Sequence, residues 1–278
     1  MTTDRAGLAQ FLRRRRELLQ PEDVGLPRGE RRRTGGLRRE EVAVLCHMST
    51  DYYTRLEQQR GTQPSEQMLA SIAQGLHLSL DERDHLFVLN GRNAPSRGPE
   101  SAHISPGLLR ILDRLHDTPA EIVTELGQTL KQTPLGVALS GNLTSFTGPE
   151  RSIGYRWFAR PGARDFYRPE DHPFLTRMWV SHLRQVTTLR GPGSEAAHLV
   201  ELLKDDAEFQ EAWNNHEVGI RPGEVKHFIH PQVGALELNC QTLVDRHQLH
   251  LLLVYTASPG SESYEKLQLL SVIGSVRP

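Results

Sequence analysis

"STDYYTRLEQQRG", residues 49–61, is the stretch on which the fold turns. Ser49 is placed to cap a helix, because its hydroxyl can accept from a backbone N–H left open at a helix start. Tyr53 and Leu56, three apart, share one face and have packing chemistry. Ser49, Thr50, Asp51, Thr54 and Arg55 remain on the other face, as short or flexible polar groups able to reach base edges in a major groove. Upstream, residues 37–46 predict a helix with Leu37, Val42, Leu45 and Cys46 inward. Glu40 and Glu41 fall in its first turn, where the helix dipole favours acids. The turn at His47–Met48 calls for a residue that tolerates positive φ, and His47 stands where Gly would be easiest. Ala43 is small enough for the second helix to cross closely. Two helices joined in this way inside an all-α bundle form a helix-turn-helix unit. Arg38 and Arg39 at the start of the first helix, and Arg60 just past the second, are placed to meet phosphates.

The pattern widens to a domain. Residues 4–19 carry Leu8, Phe11, Leu12, Leu18 and Leu19 on one stripe, with arginines on the other face. Residues 20–36 hold two prolines and a Gly–Gly pair and read as a loop. Ser65 opens a helix to Leu76, and residues 80–89 form a fifth. Five helices give an all-α domain over residues 1–91, and the Pro- and Gly-rich run 92–107 reads as a linker. Residues 108–278 read as an α+β domain with an antiparallel sheet. Strands are expected near 122–123 and over 129–139, 225–229, 233–243 and 249–257. Helices are expected over 108–115, 170–189, 194–204 and 206–215 and in "SYEKLQLLSVI".

Charge adds a second line. The chain has 33 basic and 34 acidic residues, so bulk charge names no partner. Distribution is more telling: Arg13 to Arg16, Arg28, Arg31 to Arg33, Arg38 and Arg39 crowd together without a lysine. Such a crowd reads either as a solvated face or, because Arg suits planar phosphate recognition, as a nucleic-acid footprint. Cys46 and Cys240 are far apart and fit neither a disulfide framework nor a CxxC metal pair. No signal-type or membrane-length apolar run is present. A soluble, cytoplasmic chain without membrane partners is expected.

In the second domain the aromatics Trp157, Phe158, Phe166, Tyr167, Trp179, Trp213 and Phe228 are candidates for pocket lining or ordinary core. His216, Lys226 and His230 cluster around a strand entry and could orient an acidic or hydrogen-bonding ligand group. In the bland alternative, Lys226 is solvated and the histidines satisfy backbone carbonyls. A metal enzyme must also be weighed, since His216, His227, His230, His247 and His250 are close in sequence. His227 and His230 are three apart in a strand and point to opposite faces, and no HExxH, GxSxG, P-loop or GxGxxG occurs.

"RRRTGGLRREEVAVLCHMSTDYYTRLEQQRG" (31–61) and "PSEQMLASIAQGLHLSLDERDHLFVLNG" (64–91) resemble the xenobiotic-response-element (XRE) type DNA-binding domain of actinobacterial MmyB-like regulators. Members usually carry Gly where this chain has His47. "DFYRPEDHPFLTRMWVSHLRQVTTLR" (165–190), "EFQEAWNNHEV" (208–218), "VKHFIHPQVGALELNCQTL" (225–243) and "LLLVYTASPGSESYEKLQLL" (251–270) are similar to the ligand-binding domain of the same family. The resemblance implies a PAS-like fold around an apolar pocket and a small-molecule effector, with a fatty acid known as an occupant in the family. "LKQTPLG" (130–136) departs from the family's common aromatic–Asn pair, so one pocket wall differs. The expectation is a homodimeric, sequence-specific regulator of transcription that binds a double-stranded DNA operator, with no catalytic centre, cofactor or metal. A C-terminal domain that binds a protein partner instead of a small molecule stays open.

Overall fold

The computed structural model describes residues 3–27, 35–95, 102–245 and 249–275, the last three of these by backbone alone. Arg28, Arg31, Arg32 and Arg33 of the arginine crowd, residues 96–101 of the expected linker, and Arg246 and His247 lie outside the described residues. The chain divides into two compact units, Met1–Arg114 and Leu115–Pro278. This division and the boundary read from sequence differ by the length of one helix.

The first unit contains α1 (Arg5–Leu18), a 3-10 turn (Pro21–Val24), α2 (Arg39–Leu45), α3 (Thr50–Glu57), α4 (Glu66–Gly75), α5 (Leu80–Leu89) and α6 (Pro106–Arg114). α2 starts two residues later than expected, yet Leu37 before it is fully buried. The caps are as the sequence suggests. The Ser49 and Ser65 hydroxyls accept from Tyr52 N at 3.1 Å and Met68 N at 3.2 Å, and Ser79 with Glu82 closes a capping box on α5. Leu12, Leu37, Val42, Tyr53, Leu69, Ile72, Leu76 and Leu86 have no exposed surface and form one core. α4 approaches α2 through Gly75, where a Cβ would come within 2.6 Å of Cys46 Sγ. This apolar surrounding pushes the Cys46 thiol up to about 12.

The four helices α2 to α5 end in the same way. In each, two backbone N–H groups past the cap return to carbonyls of the last turn, a Schellman motif. For α2 these are His47 N to Val44 O at 3.1 Å and Met48 N to Ala43 O at 2.9 Å. For α3 they are Gln59 N to Leu56 O at 3.1 Å and Arg60 N to Arg55 O at 2.8 Å. The motif needs a left-handed residue, supplied by His47 (φ 52°), Gln59 (φ 62°), His77 (φ 48°) and Gly91 (φ 71°). Only the last avoids the Cβ clash of that region, which costs roughly 1–2 kcal/mol per residue. The close fit of consecutive helices sets these turns against local preference.

The second unit runs β1 (Ala120–Val123), β2 (Thr129–Gln132), α7 (Pro134–Ser140), α8 (Ile153–Ala159), α9 (His172–Arg190), α10 (Glu195–Leu203), α11 (Ala207–Asn214), β3 (Val225–His230), β4 (Gly234–Val244), β5 (Leu251–Thr256) and α12 (Glu262–Ser275). Its five strands are antiparallel in the order β2-β1-β5-β4-β3, an α+β arrangement of the PAS-like kind. The strand expected over 129–139 is instead β2 followed by α7. Thr133 caps that helix by accepting from Gly136 N at 3.1 Å, and Pro134 occupies its first turn. Gly136 lets α7 lie against β1, since a Cβ there would come within 2.7 Å of Ala120 O. α8 was not foreseen at all.

Register and strand alternation put Lys226, Phe228, His230, Leu236, Leu238, Cys240, Leu251, Leu253, Tyr255 and Glu121 on one face of the sheet. Leu135 and Leu139 of α7 and Leu267 and Leu270 of α12 pack on part of that face, against Phe228, Leu236 and Leu238. α9, α10 and α11 make their own cluster around Leu183, Val186, Leu199, Leu203 and Phe209.

Candidate functional site

The first candidate site is the outward face of α3. Its inner side is fixed, with Tyr53 fully buried and Leu56 nearly so. Thr50, Asp51 and Arg55 are exposed and Thr54 is half-buried. The Arg55 guanidinium donates to the Asp51 carboxylate one turn back. Ser49 is exposed and caps the helix. Arg38 and Arg60 are exposed at the two ends of the motif. Arg38 begins α2, its backbone N–H donating to Glu41 Oε2 at 2.6 Å.

A feature the sequence reading missed holds this face in place. Glu57, in the last turn of α3, is 1% exposed. Arg16 of α1 donates from Nε to its Oε1 at 2.6 Å and from Nη2 to its Oε2 at 3.3 Å. Arg39 of α2 donates from Nε to Oε2 at 2.7 Å. Burial works to raise the Glu57 carboxyl, but the two guanidiniums outweigh it and hold the group below the usual carboxylate range. Arg16 therefore belongs to the interior rather than to a solvated face. Arg39, tied at Nε, remains partly exposed. The three helices are joined at one carboxylate.

The second candidate site lies over the inner face of the sheet. The rings of Trp157 and Tyr167 (5.6 Å), Tyr167 and Phe228 (5.8 Å), and Phe228 and Tyr255 (5.8 Å) form a connected chain, with Phe166 stacked on Phe228 at 4.5 Å. The structure thus brings Trp157, Tyr167 and Phe228 together. Phe158, Phe209 and Trp213 form a separate aromatic run within the helical cluster. Trp179 and Phe158 border a cavity of about 20 Å³ with Leu126, Ser152 and His182; the Trp179 indole N–H is buried without a partner.

The polar candidates separate. Lys226 and His230 share the inner face with Phe228 between them. His216 is exposed and its Nδ1 accepts from Arg184 at 3.2 Å. His230 donates from Nε2 to Ala138 O at 3.1 Å and accepts at Nδ1 from Gln232 N at 3.2 Å, so the backbone occupies both ring nitrogens. His227 faces Asp171 at 3.1 Å. Among the described residues no group of three or more His, Cys, Asp or Glu side chains could hold a metal ion.

Residues not singled out from sequence complete the face. Glu121 Oε2 accepts from Thr129 Oγ1 at 2.9 Å, and its Oε1 accepts from Tyr255 at 3.2 Å. Burial pushes the Glu121 carboxyl up against the pull of these bonds and of Arg156. On the central strand β5, Leu251, Leu253 and Tyr255 on the inner side and Val254 on the other keep some accessible surface, whereas Leu252 has none.

A helix-turn-helix unit whose α3 has an exposed polar face, followed by an α+β unit, is the build of a DNA-binding transcription regulator with a ligand-binding domain. The family described as MmyB-like transcription regulator ligand binding domain matches residues 104–270, and a helix-turn-helix domain matches residues 8–86. The chain belongs to the MmyB-like transcription regulators. Comparison with curated proteins returned no match. Among the described residues no helix is long and apolar enough to cross a membrane.

Proposed function

We propose that the protein is a homodimeric, sequence-specific regulator that acts on DNA in the cytoplasm and has no catalytic role of its own. One observation carries the DNA-reading part: the inner side of α3 is locked in the core while Thr50, Asp51, Thr54 and Arg55 project from it. Arg55 takes a guanine edge in the major groove, and Arg38, Arg39 and Arg60 take phosphates. An eight-residue helix reads only a few base pairs, so two copies on a two-fold operator supply the rest. A small amphipathic, fatty-acid-like effector binds the second unit against the inner face of the sheet, near Tyr167, Phe228 and Lys226. It shifts the population between arrangements that space the two reading heads well or badly.

The test is Arg55→Ala, assayed on an operator selected from a randomised duplex pool. Specific affinity is expected to fall about 10- to 100-fold, as for loss of one base contact worth about 1–3 kcal/mol, with helicity and sedimentation unchanged. Parental affinity at equal salt would sink the assignment of that face.

A further inference from the structure

Between Ser49 and Arg55, Asp51 is the only acid. It stands among cations, with Arg55 beside it and the exposed Arg38 and Arg60 at the two ends of the motif. Phosphates repel a carboxylate, so a helix shaped only for grip on DNA would not carry one on its outward face. Asp51 and Arg55 are open to solvent, with 66% and 56% of their side-chain surface accessible. The Arg55 guanidinium donates from Nη2 to Asp51 Oδ2, and the two side chains make no other hydrogen bond or ion pair among the described residues.

This tie has a direction. Asp51 precedes Arg55 by one turn of α3, so the bond draws the guanidinium back toward the N-terminal end of the helix. A recognition helix meets base edges chiefly with that end. The tie also leaves the right donors. A guanidinium has five N–H groups, and one spent on Asp51 leaves the parallel pair that guanine N7 and O6 require. Finally, the tie cancels charge. A phosphate rewards net positive charge by releasing a counterion, and the joined pair has none to offer. An acid in the first turn suits the helix dipole in any case, but Ser49 already caps α3, and the dipole asks nothing of Arg55.

Resting on the reading of α3 as the base-contacting helix, we propose that Asp51 is a positioning residue that sets specificity: it commits Arg55 to a guanine edge and withholds it from the phosphates. Without Asp51, Arg55 is a free cation on a flexible stem, able to reach a phosphate on any sequence.

The full-length parent, Asp51→Ala, Arg55→Ala and the double variant are titrated with two duplexes across about 50–200 mM salt. One duplex is the operator that the parent selects from a randomised pool; the other is unrelated in sequence. Asp51→Ala is expected to lower the ratio of operator to unrelated affinity about tenfold. On the unrelated duplex its salt dependence should steepen by about 0.9 in log K per log salt for each protomer bound, the mark of one more phosphate neutralised. Selection repeated with Asp51→Ala should relax the same base pair that Arg55→Ala relaxes, and the double variant should lose no more than Arg55→Ala alone. A lower melting temperature with ratio, salt slope and selected sequence unchanged would leave Asp51 a helix-dipole acid and overturn the inference. Additive losses in the double variant would overturn it as well, since Asp51 would then act independently of Arg55. If Arg55→Ala itself keeps the parental ratio, the reading of α3 falls too; if only Asp51→Ala keeps it, that reading stands.

Discussion

Tyr53 and Tyr255 both lie at the centre of their units, and the two units treat them in opposite ways. Tyr53 is sealed in the core of the first unit with no exposed surface. Tyr255 sits on the central strand of the sheet, half-buried, with its hydroxyl on the equally half-buried Glu121. The first unit closes its core around α3, which under the proposed function fixes the helix that meets the bases. The second unit leaves part of the inner face of its sheet accessible.

The largest effect expected is on that contrast itself. Tyr53→Ala leaves a sealed cavity and should cost about 3–5 kcal/mol, by analogy with other large aromatic truncations. Tyr255→Ala removes a ring already partly in contact with water and should cost less than about 2 kcal/mol. Urea denaturation followed by hydrogen exchange, which resolves α3 from β5, measures both. Equal costs would break the comparison.

The next effect sharpens it on the rigid side. Glu57→Gln leaves Arg16 buried without its counter-ion and should destabilise the first unit by about 3 kcal/mol at neutral pH. The sign with pH follows from the lowered carboxyl. Because the folded value lies below the unfolded one, the contribution is complete above about pH 4.3 and fades as pH falls through the folded value. Thermal melts from pH 7 to pH 3 should show the gap between parent and Glu57→Gln narrowing on the acid side. A gap that is constant or widens there would remove the carboxylate from its proposed place.

The smallest effect concerns the turn. His47 occupies a left-handed conformation that Gly adopts freely, so His47→Gly should raise stability by roughly 0.5–1 kcal/mol after the entropy of the unfolded chain is allowed for. A rise of a few degrees in the melting of the first unit is the expected reading. A fall would mean that the His47 side chain supports the turn in some other way.

Much of the reading unit was legible in the sequence because its signals are local. Ser49 and Ser65 announce helix starts, and Leu69, Ile72, Ala73 and Leu76 fall at helical spacing, so residues a few places apart decide the element. Glu57 was not legible as a clamp, since its partners Arg16 and Arg39 come from two other helices and looked like members of an exposed crowd. In the second unit the strands over 225–256 showed through their apolar runs. The helix after Thr133 did not, because Leu135, Val137 and Leu139 alternate as a strand would, and only the Thr–Pro start and the contact of Gly136 with β1 decide otherwise. The contact of Tyr255 with Glu121 was the least legible. Glu121 and Tyr255 are 134 positions apart, and pairing across a sheet leaves no trace in local spacing.

The half-finished inner side of β5 has a consequence for the life of the protein in a cell. If a guest supplies the missing contacts, part of the unit's folding stability belongs to the guest and rises with the logarithm of its concentration above the dissociation constant. The regulator's lifetime, and not only its grip on DNA, then becomes a record of how much effector has been present. Unliganded copies open more often to proteases, and liganded copies accumulate.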